Sequence, residues 1–186
     1  TKKVLAANRN VLRPLNYPAD NPGNGFIIYD LGAKGKVGVL SLHGRVFMQP
    51  IDCPFKKGEW AVGKMLEQTK VILVDFHAEA TAEKMALGWY LDGKVSAIVG
   101  THTHVQTADA RILPQGTGFI TDVGMTGPYD SVIGLRKDIA IKRFIHQTPY
   151  KYEMGSHDVR MSGVRLKVDA VTGKALSIES FMYPKF

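Results

Sequence analysis

Three histidines offer the clearest chemistry in this chain. Lys94-Val95-Ser96-Ala97-Ile98-Val99 reads as a short buried strand, apolar and β-branched, broken by Gly100. Beyond the break stand His102 and His104. In extended backbone, residues two apart point the same way, so the spacing predicts that these imidazoles project together while Thr101 and Thr103 face away. Neutral imidazole suits zinc, iron, nickel and copper, which makes the pair candidate metal ligands. His77 closes a second apolar run, Val71-Ile72-Leu73-Val74-Asp75-Phe76-His77. Ligands of open α/β sheets gather at the carboxyl ends of strands, where these three histidines stand. An isolated histidine is more often a hydrogen-bonded core or surface residue, and spacing alone goes no further.

The elements that must hold them follow from periodicity. Gly25–Leu31 and Lys36–Leu42 read as a hairpin around Gly32 to Gly35. Gly58 to Thr69 has helical spacing in Trp60, Val62, Met65 and Leu66, and Lys70–Phe76 is the next strand. Thr81 to Leu91 is a second helix with Thr81 as N-cap, Glu83 and Lys84 in its first turn, and Met85, Ala86, Trp89 and Tyr90 as its core face. Strand, helix and strand in succession predict a βαβ unit.

After the histidines, Arg111–Leu113 and Thr117–Thr121 are two short strands. Asp122 to Gly134 is a glycine-rich loop whose amides could approach an anion, although it matches no phosphate-binding fingerprint. Asp138–His146 is a short helix, and Met161–Asp169 with Ala175–Tyr183 is a closing hairpin. At the start, Thr1–Ala7 reads as helix interior. No repeat or linker divides the chain, so one domain spanning residues 1–186 is expected.

Composition narrows the class. The 186 residues carry one cysteine, Cys53, and a formal charge of +7. Cys53 cannot form an internal disulfide and fits a reducing compartment as a small thiol. No apolar run reaches the roughly 20 residues that span a bilayer, and no secretory signal is visible, so the expected setting is cytoplasmic. The positive charge favours anionic partners in general, but the basic residues are scattered and read first as a solvated basic surface, which supports a phosphate substrate only weakly and is no nucleic-acid signature.

Six blocks carry a more specific signal: Leu12–Pro18, Gly44–Met48, Val74–Thr81, Ala86–Gly93, Gly100–Asp109 and Thr121–Pro128. In this order they strongly resemble the YmdB-like family of bacterial calcineurin-type metallophosphoesterases, which act as cyclic-nucleotide phosphodiesterases. The resemblance implies an α/β fold, a four-layer α/β/β/α sandwich, with two divalent transition-metal ions (iron, manganese or zinc) at the strand ends. It implies that His77 and His102 hold one ion and His104 the other. Asp75, Glu79 and Asp109 are candidates to accept the second ring N–H of these ligands.

Two ions about 3.5–4 Å apart can generate a bridging hydroxide that attacks phosphorus, while a general acid protonates the leaving ribose oxygen. The substrate would be a 2′,3′- or 3′,5′-cyclic nucleotide or a related small phosphodiester. The family's other ligands are an Asp after the first strand, a Glu-Asn pair and a Gly-Asn-His block whose histidine is the expected proton donor. None has a match here. The resemblance therefore implies that the amino-terminal strands and the catalytic acid lie outside this chain, and that the 186 residues alone are inactive. Hydrolysis of other phosphate esters and a non-catalytic metal- or RNA-binding module are the competing expectations. A homo-oligomer is compatible with the sequence, though no feature compels it.

Overall fold

The computed structural model describes residues 2–186. Helix α1 (Lys2–Ala7) precedes an extended, proline-punctuated segment that leads into strand β1 (Phe26–Asp30), and a tight turn joins β1 to β2 (Lys36–His43). The chain then alternates: α2 (Pro54–Leu66), β3 (Ile72–His77), α3 (Thr81–Tyr90), β4 (Ala97–Thr101). Strands β5 (Arg111–Ile112) and β6 (Gly118–Ile120) follow, and a two-residue strand β7 (Gly127–Pro128) lies in the loop beyond. Helix α4 (Lys137–His146) and the long hairpin β8 (Val159–Val168) and β9 (Ala175–Tyr183) complete the order.

The strands form two sheets. The larger has the order β1-β2-β3-β4-β6-β5 and the smaller β7-β8-β9. Four parallel strands, β2, β3, β4 and β6, make the centre of the large sheet, with β1 and β5 antiparallel at its edges. Parallel neighbours require crossovers: α2 joins β2 to β3, α3 joins β3 to β4, and the loop with β5 joins β4 to β6. This mixed α/β, two-sheet architecture agrees with the expected fold class.

Strand β3 shows why the site lies where it does. Ile72, Val74 and Phe76 are fully buried, packed with Leu40 and Leu42 of β2 and with Ala61, Val62, Met65 and Leu87 of the helices. The alternate residues Leu73, Asp75 and His77 turn to the other face and are only half-buried. Register then aligns polar partners on that face: Ser41 beside Asp75, His43 beside His77, and His77 beside Thr101. The second sheet packs at the far edge. Leu166 and Ala175 close over Gly118, at 3.1 and 3.3 Å from where a Cβ would stand. The Gln106 side-chain nitrogen lies 3.0–3.2 Å from the carbonyl oxygens of Val123, Gly163 and Phe181, joining the loop after β4 to the hairpin.

Three local expectations need correction. Ala80, not Thr81, occupies the N-cap of α3, and Thr81 is the first helical residue. The buried face of α3 is Glu83, Lys84, Leu87 and Gly88, whereas Met85 and Trp89 are 37% and 55% exposed. Trp60 of α2 is likewise 54% exposed, its ring set edge-on to Phe26, while Val62 and Met65 fill the core. The reason in α3 is that its two adjacent charges find distant polar partners inside the protein, which rotates the apolar residues outward. Among the described residues no helix is long and apolar enough to cross a membrane.

Candidate metal centre

The carboxyl ends of β2, β3 and β4 bring three imidazoles into a row. The rings of His43 and His77 have centroids 5.6 Å apart, and those of His77 and His102 are 4.8 Å apart. His43 escaped the sequence reading, although it ends an apolar strand as His77 does. Its backbone is gripped by Asn16, whose side chain donates to the His43 carbonyl at 2.7 Å and accepts from its N–H at 2.9 Å. Its Nδ1 donates to the Gly44 carbonyl at 2.7 Å, which fixes the ring.

The histidine pair does not project from an extended strand. β4 stops at Thr101, and His102 and His104 both have left-handed backbone, with φ of 111° and 66°. Such values are uncommon for side-chain-bearing residues and persist only where the surroundings enforce them. His102 turns back to His77, while His104 turns outward and its Nδ1 donates to the Ile133 carbonyl at 2.9 Å. Thr101, expected to face away, lies within the site.

Hydrogen bonds fix the tautomers. The Thr101 hydroxyl donates to Asp75 Oδ1 at 2.9 Å, so its oxygen accepts from His77 Nδ1 at 3.1 Å. The proton of neutral His77 is therefore on Nδ1 and the lone pair on Nε2. Glu79 Oε2 lies 3.0 Å from His102 Nε2, which assigns the proton there and leaves the lone pair on Nδ1. His77 Nε2 and His102 Nδ1 face each other at 3.0 Å. With both rings neutral the two lone pairs repel at that distance, and either a proton on His102 Nδ1 or a metal ion beside the two nitrogens relieves it. Ligand bonds of about 2.0–2.1 Å at a right angle would separate two nitrogens by about 3 Å. Burial, and after it the electrostatic influence of the neighbouring His102, His43 and Lys84, pushes the His77 pKa down to about 4, so the ring is a neutral base at neutral pH. Burial also raises Asp75, against the hydrogen bonds of Thr101 and Ser41.

This donor set fits a transition-metal ion on its His77–His102 side. His104 stands apart, and among the described residues no group of three or more His, Cys, Asp or Glu side chains converges as a complete cage. Asp109 does not join the site. It accepts from Thr107 and Thr121 and pairs with Arg111 at 3.3 Å.

The model of the YmdB-like protein family matches residues 1–181. The chain belongs to the YmdB-like family. This YmdB-like chain is 47% identical over 173 residues to the 2′,3′-cyclic-nucleotide 2′-phosphodiesterase of Bacillus subtilis (strain 168), covering 93% of this chain and 65% of that protein. A crystal structure of a hypothetical protein from Thermus thermophilus superposes with a TM-score of 0.91 at 39% identity, over 98% of this chain and 70% of that one. A crystal structure of a novel phosphatase from Mycoplasma pneumoniae gives 0.89 at 35% identity, over 97% and 67%. The chain spans between 62% and 65% of the length of the three curated relatives it matches.

Proposed function

We propose that the protein to which this chain belongs is a metal-dependent phosphodiesterase that opens cyclic nucleotides, adding water across one P–O bond of the ring. The observation that supports it most directly is the facing pair of lone pairs on His77 and His102, each tautomer fixed by a partner behind it. His77 and His102 would hold one divalent ion, iron, manganese or zinc, and His104 would present Nε2 to a second. When bound, such ions supply Lewis-acid activation of water and neutralise charge at phosphorus. Asp75, through Thr101, and Glu79 keep the ring protons away from the metal-facing nitrogens. No residue of this chain is assigned as the proton donor to the leaving oxygen. The similarity to the Bacillus enzyme favours a 2′,3′-cyclic substrate, and the single cysteine accords with a cytoplasmic setting.

The test uses the full-length protein. Elemental mass spectrometry should find about two transition-metal ions per chain, and turnover should favour 2′,3′-cyclic over 3′,5′-cyclic nucleotides. His102→Ala should abolish hydrolysis. Faster turnover of aryl phosphate esters than of any cyclic nucleotide would instead favour a broader esterase, in keeping with the phosphatase named among the similar structures. Absence of metal with tight, strongly salt-dependent RNA binding that survives His102→Ala would overturn the enzyme reading.

A further inference from the structure

Helix α3 carries two adjacent buried charges, and they reach in different directions. The Glu83 carboxylate accepts from the backbone N–H groups of Arg45 at 3.0 Å and Val46 at 3.2 Å, holding the loop that leaves β2 beside His43. Lys84 crosses the sheet over Gly100 and pairs with Asp122 at 2.9 Å, their side chains 1% and 0% exposed. Gly100 makes this passage possible. A Cβ there would stand 3.1 Å from Lys84 Cδ and 1.7 Å from the Thr121 carbonyl oxygen.

Asp122 directs its remaining acceptor capacity to two loops. Oδ2 also accepts from the backbone N–H of Thr103 at 2.9 Å, and Oδ1 accepts from Gly124 at 2.9 Å. Thr103 is the residue between His102 and His104. The strained segment that presents both histidines is thus fastened at its middle by a carboxylate, which is itself neutralised by a lysine from α3. A buried ion pair is weak evidence for stability, since an apolar pair of equal volume often serves as well. What an apolar pair could not do is accept the Thr103 amide proton.

We propose that Lys84 and Asp122 are positioning residues: together they impose the left-handed turn at His102-Thr103-His104 and so set where the two imidazoles stand for metal. Its consequence for metal binding rests on the metallophosphoesterase reading above. Its consequence for the loop does not.

The variant is the full-length double substitution Lys84→Met with Asp122→Leu, which removes both charges and the acceptor of the Thr103 amide and leaves neither charge unpaired. The probes are hydrogen exchange of the Thr103 amide without metal, and Co2+ titration followed by its visible spectrum. Both are read well below the melting temperature. The expected result is Thr103 exchange at least tenfold faster, Co2+ affinity lowered about 10- to 100-fold, and an altered spectrum per bound ion. Lys84→Arg, which keeps charge and donor, should restore most of the affinity. A lower melting temperature with unchanged exchange, affinity and spectrum would mean a purely structural pair and overturn the proposal. If wild-type protein binds no Co2+, the enzyme reading fails by itself, and the metal-free exchange still decides the role of the pair. If the double variant does not fold, the wild-type Thr103 amide decides: slow exchange supports the clamp, and exchange at open-loop rates overturns it.

Discussion

Glu79 Oε2 stands 3.0 Å from His102 Nε2, on the side of the ring away from His77. The carboxylate therefore controls which nitrogen of His102 is free. Glu79→Gln can present a donor in its place and weakens that control. Partners behind metal-ligating histidines are worth roughly 10–100-fold in affinity, and Glu79 is half exposed, so the lower end, about tenfold, is expected. Calorimetric titration of the full-length protein with Mn2+ checks it. His77→Ala should cost far more and remove one ion from the stoichiometry.

Asp109 governs acid stability near the site. Burial opposes its ionisation, but hydrogen bonds from the Thr107 and Thr121 hydroxyls and the Thr121 N–H outweigh it and hold the carboxyl below the usual range. A depressed native pKa contributes stability that is present above the unfolded value, near pH 4, and lost as pH falls through the native value. Asp109→Ala should cost on the order of 2 kcal/mol at neutral pH. It should also flatten the acid limb of the stability curve, seen in urea midpoints between pH 7 and pH 3.

Gly100→Ala tests the close approach of β4 to the Thr121 carbonyl. The added methyl would meet that oxygen at 1.7 Å, and the obstacle is backbone rather than a flexible side-chain tip. The cost should reach about 3 kcal/mol or more, the upper end for overpacking. Thermal unfolding of the purified variant measures it, and a loss below about 1 kcal/mol would refute the packing described.

Glu83→Ala leaves the N–H groups of Arg45 and Val46 without their carboxylate. The loop from Gly44 to Met48 should then open more often, with faster cleavage after Arg45 by trypsin. Glu83→Gln, which retains one acceptor oxygen, should fall between the two.

Much of this architecture was legible because it is local. The β1–β2 hairpin, the run from β2 to β4 and the closing hairpin follow from apolar periodicity within a dozen residues, and their bounds shift by only a few positions. His77 and His102 were legible because each follows an apolar strand. His43 could have been found by the same rule, since it ends Lys36–His43. The buried face of α3 was illegible for a definite reason. Glu83 accepts from the backbone N–H of Arg45 and Lys84 pairs with Asp122, each 38 residues away in sequence, which no local pattern encodes. The outward turn of His104 was hidden likewise, because the carboxylate that fastens Thr103 belongs to Asp122, in the loop two residues beyond β6.

The amide of Gln106 has a consequence for how the molecule can be watched. It is two residues beyond His104 and shares its hydrogens with backbone oxygens of both strands of the closing hairpin. Any sliding of one sheet against the other must pull on that amide, and through it on the turn that carries His104. The side-chain resonances of Gln106 would then act as a strain gauge between the hairpin and the histidine loop.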